Sequence, residues 1–252
     1  MTRTSILAAL FLLALAAGST AASAQTSRTA SGVAVAACGE LIGAVLADPE
    51  APPRLSDPQT QALFDLALPK AAALGPPASA QEFALLAEMS AKAGLLARAY
   101  ILAGTGSHGA LTSEQRWRAG INFVHHLPEI VRLYDFRLQV TARLAAGAAS
   151  FEAGLSSASA ADPAVRAGLA AIEVEVRAIR AAVLSLVGDE NIEDAWRAGR
   201  MVLLARHAGD FAAFLDARPS QEIADQALAA ALREQDPEIG RMLKDFALTI
   251  LR

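Results

Sequence analysis

The run His125-His126-Leu127-Pro128-Glu129 places two imidazoles and a carboxylate within one short stretch, and Tyr134 follows with a phenol. On an uninterrupted helix His125 and Glu129 are four apart and share a face, a spacing that could move a proton or hold part of a metal site. His207 with Asp210 could add ligands from a second segment. A zinc site needs three or four converging ligands, with an activatable water when it is catalytic. No His-Glu-x-x-His or comparably strict spacing occurs, so the sequence implies no metal and no cofactor. A hydrolytic or metal-assisted enzyme built here would use His126, Glu129 or Tyr134 beside Pro128.

The two tryptophans occur in similar settings. Glu114-Gln115-Arg116-Trp117-Arg118-Ala119-Gly120 is echoed by Glu193-Asp194-Ala195-Trp196-Arg197-Ala198-Gly199. Glu and Arg four apart should pair on an exposed helix face while the indole points inward. Tryptophans lining a groove for peptide, glycan or lipid are the functional alternative, since indole is amphipathic. The candidate ligand or interface residues are therefore Trp117, His126, Glu129, Tyr134, Trp196 and His207. His207 also has a plain structural explanation: Arg206 and His207 ahead of Gly209 read as a basic last helical turn with a glycine stop.

Other motifs carry less. Gly104-Thr105-Gly106-Ser107-His108-Gly109 fits GxGxxG, but a helical pattern precedes it and no βαβ unit surrounds it, so it reads as an interhelical loop. No Gly-x-Ser-x-Gly elbow is present, and Cys38 reads as lying outside the core.

The elements that must position these residues are helices. Capping signals recur at Ser56 with Gln59, Ser79 with Glu82, and Thr112 with Gln115; Asp162-Pro163, Asp236-Pro237 and Ser220 mark further starts. The Ser56 helix should run towards Leu74, with Pro69 as an irregularity. No β-branched alternating run lies between turns. The fold class expected is all-α, a single antiparallel bundle of about six or seven helices, with a short α-α repeat stack as the alternative. Across the central helix the apolar stripe is Trp117, Ile121, Val124, Leu127, Val131, Tyr134 and Leu138. The opposite face collects Glu114, Arg118, Asn122, His125, Glu129 and Arg132, with His126 at the boundary. Pro128 must kink or break this helix.

Arg3, the apolar run Ile6 to Ala17, and Ala22-Ser23-Ala24 are the three parts of a secretory signal, with cleavage expected before Gln25. Residues 25–55 read as a proline- and alanine-rich linker with a peripheral helix near Val35 to Leu46, and residues 56–252 as the helical domain. Val35-Ala36-Ala37-Cys38 resembles a lipobox, which offers lipid anchoring through Cys38 as an alternative fate. The formal net charge is −4 and no basic block stands out, which argues against nucleic acid as a partner. A single cysteine allows no internal disulfide. No segment after the leader has the charge-free length of a membrane span. The sequence thus describes an exported, periplasmic or envelope-associated helical protein. It reads as a binding, interaction or structural module rather than an enzyme, open to a protein or small-molecule partner and to oligomerisation.

Overall fold

The computed structural model describes residues 23–70, 77, 79–107, 110–187, 207 and 217–251. Over these residues the chain is all-α. The helices are α1 (Ser23–Ala47), α2 (Pro58–Ala67), α3 (Ala80–Leu102), α4 (Ser113–His125), α5 (Leu127–Ala153), α6 (Pro163–Val187), α7 (Ala217–Arg233) and α8 (Pro237–Ile250). Ser157–Ala160 adds one helical turn, and no strand occurs among the described residues. The described helices outnumber the six or seven expected because Pro128 divides the central one. None is long and apolar enough to cross a membrane.

Local chemistry sets the helix starts. Thr112 forms a complete capping box: its hydroxyl accepts from Gln115 N–H at 3.2 Å, and the Gln115 side chain accepts from Thr112 N–H at 2.9 Å. Asp162 and Asp236 accept from the first-turn amides Ala164 and Glu238, each at 2.7 Å, with proline at the position that needs no donor. Ser79 accepts from Glu82 N–H at 3.4 Å. The α2 start differs from the sequence expectation. Asp57, one residue after Ser56, is the cap, and its carboxylate takes Gln59 N–H, Thr60 N–H and the Thr60 hydroxyl. A carboxylate ahead of Pro58 outcompetes the serine before it. This helix also stops at Ala67, short of Leu74. Ser220 lies inside α7 rather than capping it, with Pro219 in the first turn where its missing amide costs nothing.

The chain divides into two compact units. The described parts of Thr20–Leu74 and Glu88–Arg137 form one. Its core takes Leu41 and Val45 from α1, Phe64 from α2, Met89, Ala93, Leu96 and Tyr100 from α3, and Ile130, Leu133 and Phe136 from α5. Cys38 belongs to this core too, contrary to expectation, with its Sγ 3.8 Å from Ala67 O. Burial pushes the thiol up to about 11, so it stays neutral.

The described parts of Gly75–Ala87 and Leu138–Arg252 form the other unit. There α7 and α8 make a helical hairpin, and α7 also packs on α6. Ile172, Val176, Ile179 and Val183 form the buried stripe of α6, and alanines 224, 227 and 231 are the buried positions of α7 along with Ala230. Small residues allow close approach, and one position depends on it. A Cβ on Gly147 would lie 2.6 Å and 2.7 Å from Pro77 Cγ and Cδ. Glycine-to-alanine changes inside an open helix gain about 1 kcal/mol. Gly147→Ala is expected to reverse that sign and lose about 1–3 kcal/mol through overpacking, as read by urea denaturation.

Candidate functional site

The site is organised by a break between α4 and α5. Pro128 is the second residue of α5 and has no amide to give to Val124. His126 leaves helical geometry at φ −108°, ψ 24°; its N–H keeps the last i→i−4 bond of α4, to Asn122 O at 2.9 Å, and also meets Val124 O. The ladder restarts with Ile130 N–H donating to His126 O at 3.0 Å. The expected kink or break is a break.

The break releases α4 from the phase of α5, and the face that α4 buries is polar. Asn122 Nδ2 donates to Ile101 O at 3.1 Å and Ala103 O at 2.7 Å, satisfying carbonyls at the end of α3. Gln115 Nε2 donates to Thr105 O at 3.0 Å, and Ala119 is buried beside them. Arg118 pairs with Glu50 at 2.5 Å, not with Glu114 as the spacing suggested. The Gly104–Gly109 motif is an interhelical loop over its described residues. Gly104 has φ +62°, and a Cβ there would collide with the Arg118–Glu50 pair.

The expected inward stripe consequently faces out over its α4 half. Trp117 is 71% exposed, Ile121 46% and Val124 57%. Reading one helical wheel through Pro128 joined two helices whose faces are independent. The three side chains, with Arg116, Gly120 and His125, line an open groove of about 540 Å³.

The same break buries two residues that the wheel left nearer to solvent. Glu129, expected on the charged face, is 1% exposed, and His126 is 2% exposed. Their Nδ1 and Oε2 atoms lie 3.9 Å apart, and neither has a hydrogen-bond partner. Glu129 is inside because its Oε1 accepts from Leu55 N–H at 2.7 Å. Tyr100, fully buried, packs its ring at a 46° tilt with its centre 5.2 Å from that of His126 and donates its hydroxyl to Pro53 O at 2.8 Å. Arg54 donates to His125 O at 2.8 Å and meets the His125 ring nitrogen. Burial, then the charges of Arg54 and His125, hold His126 down at about 4, so it is neutral at ordinary pH. Burial and the Glu129 carboxylate push the Tyr100 phenol up.

The structure thus brings His126 and Glu129 together and adds Tyr100 and Arg54, which the sequence did not single out. The one available signal was the proline cluster around Arg54, a segment needing anchors because prolines deny it helical bonds. Tyr134 is half-buried, its ring 6.0 Å from the Arg137 guanidinium carbon. His207 is buried in a turn whose neighbours are not described, and Trp196 lies outside the described residues, as does the second copy of the tryptophan motif. Among the described residues no group of three or more His, Cys, Asp or Glu is arranged to hold a metal.

Comparison of the chain with protein-family models, curated proteins and solved structures finds no match.

The cluster's energetics separate two variants. Glu129→Ala orphans the Leu55 amide and is expected to cost about 1–3 kcal/mol in urea denaturation. Glu129→Gln keeps an acceptor for Leu55 and offers His126 a donor, so its cost should fall below about 1 kcal/mol.

Proposed function

We propose that this chain is an exported helical binding module that takes a protein partner on the outer face of α4. The observation carrying this reading is the row Trp117, Ile121 and Val124, solvent-facing at helical spacing on a helix whose other face is already engaged. An apolar row with this spacing is what a helix-in-groove contact uses. A scattered exposed apolar residue would need no explanation, but three in one groove do.

The groove's charge selects the occupant. Arg116 and His125 stand at its rim and no carboxylate is among its lining residues. The complement is an apolar segment flanked by Asp or Glu. A second copy fits less well. Antiparallel pairing of two α4 helices about Gly120 and Ile121 lays Trp117 over Val124 but sets the two basic rims against each other. Sealing of His126 and Glu129 favours binding over hydrolysis, because neither presents its reactive atoms to a substrate. Export rests on Arg3, the apolar run from Ile6 and the Ala22-Ser23-Ala24 site.

A photo-crosslinking residue replacing Val124, in the cell that exports the chain, tests the reading. Adducts should map to an apolar stretch with flanking carboxylates on another protein. Arg116→Glu should cut their yield about fivefold, the size of one rim charge. Adducts confined to lipid or to a second copy, or none at all, contradict it.

A further inference from the structure

The segment between α1 and α2 runs outside any helix from Asp48 to Asp57. Four contacts fasten it: Glu50 to Arg118 on α4, Pro53 O to Tyr100 on α3, Arg54 to His125 at the end of α4, and Leu55 N–H to Glu129 on α5. Three of the four anchoring residues, Tyr100, His125 and Glu129, also surround His126. We propose that Asp48–Asp57 is an acid-released strap, freed when His126 takes up a proton.

The geometry explains why charge on His126 would be relieved here. Arg54 of the strap carries the same sign as an imidazolium, and the His125 ring of α4, which receives the Arg54 guanidinium, stands edge-on to His126 at 5.1 Å. Among the described residues Glu129 of α5 is the counter-charge facing it, and its Oε2 stays 3.9 Å from Nδ1 while Oε1 is committed to Leu55. Tyr100 of α3 presents its ring, with its hydroxyl turned to Pro53. Further out, Asp65 of α2 and Arg132 of α5 pair with each other beside Phe64. A buried imidazolium must regain water or lose its like-charged neighbour. Lifting the strap does both, because it removes Arg54 and exposes the junction. The strap has no helical ladder to break, whereas moving α4 or α5 would expose helix backbone.

The sign follows from linkage. His126 binds a proton more weakly in the strapped form, at about 4, than an unburied histidine does, at 6.5. Strap closure is therefore fully favoured above 6.5 and weakens as pH falls towards 4. From pH 7 to pH 5 the opened fraction should rise roughly 20-fold.

Amide hydrogen exchange on the full chain, read as protection factors at pH 7, 6 and 5, tests this. Protection across residues 48–57, and at Leu55 above all, should fall about 20-fold while α8 keeps its protection. In His126→Gln, which cannot charge, the profile should be flat. If that variant does not fold, the wild-type profile with an NMR titration of His126 still decides. The strap's opening must follow that ring's protonation. Constant protection from pH 7 to 5 overturns the proposal. So does loss that is simultaneous in α8, or loss that persists in folded His126→Gln.

Discussion

One absent amide governs this half of the molecule. Pro128 cannot donate to Val124, so the helix that would have run from Thr112 into α5 ends at His126 and begins again. The break allows α4 and α5 to face different ways, and every feature of the site depends on that freedom. With a continuous helix, Trp117 and Val131 would share a face. With the break, Val131 is in the core and Trp117 is in solvent.

What fills the inner side of α4 is hydrogen bonding rather than apolar burial. Asn122 and Gln115 close carbonyls at the end of α3 and in the following loop, and Arg118 reaches Glu50. Buried carbonyls without partners are costly, so a polar helix face can be held inward by this work. The apolar row is left outside as a consequence, free for an occupant. On the other side of the break, His126 and Glu129 are drawn in where the strap crosses. His125 links the two regions, since it borders the groove and also receives Arg54. Loading of the proposed docking groove and opening of the proposed strap would therefore act on the same residue.

The sequence was legible where structure is local. The Thr112 box and the Asp162-Pro163 and Asp236-Pro237 starts depend on groups a few residues apart, and each is found as read. The all-α class followed from the same signals. The sequence marks Pro128 as a disruption, but an apolar stripe continued through it misplaces Trp117 and Glu129. The amide side chains of α4 were the unused clue, because Gln115, Ala119 and Asn122 share a face that an apolar count scores as outer. Tyr100 and Arg54 could not be found this way. Their contacts join residues 71 and 47 positions apart, and the Leu55–Glu129 bond spans 74. No periodicity reports a bond of that span.

The docking face depends most directly on the orientation of Trp117. Acrylamide quenching of a Trp196→Phe chain, in which Trp117 is the remaining indole, measures it directly. An indole facing solvent on α4 should emit at long wavelength and be quenched nearly as readily as free tryptophan. A blue-shifted emission that resists quenching would put Trp117 back in the core, restore one continuous stripe through Pro128, and remove the basis for the docking face.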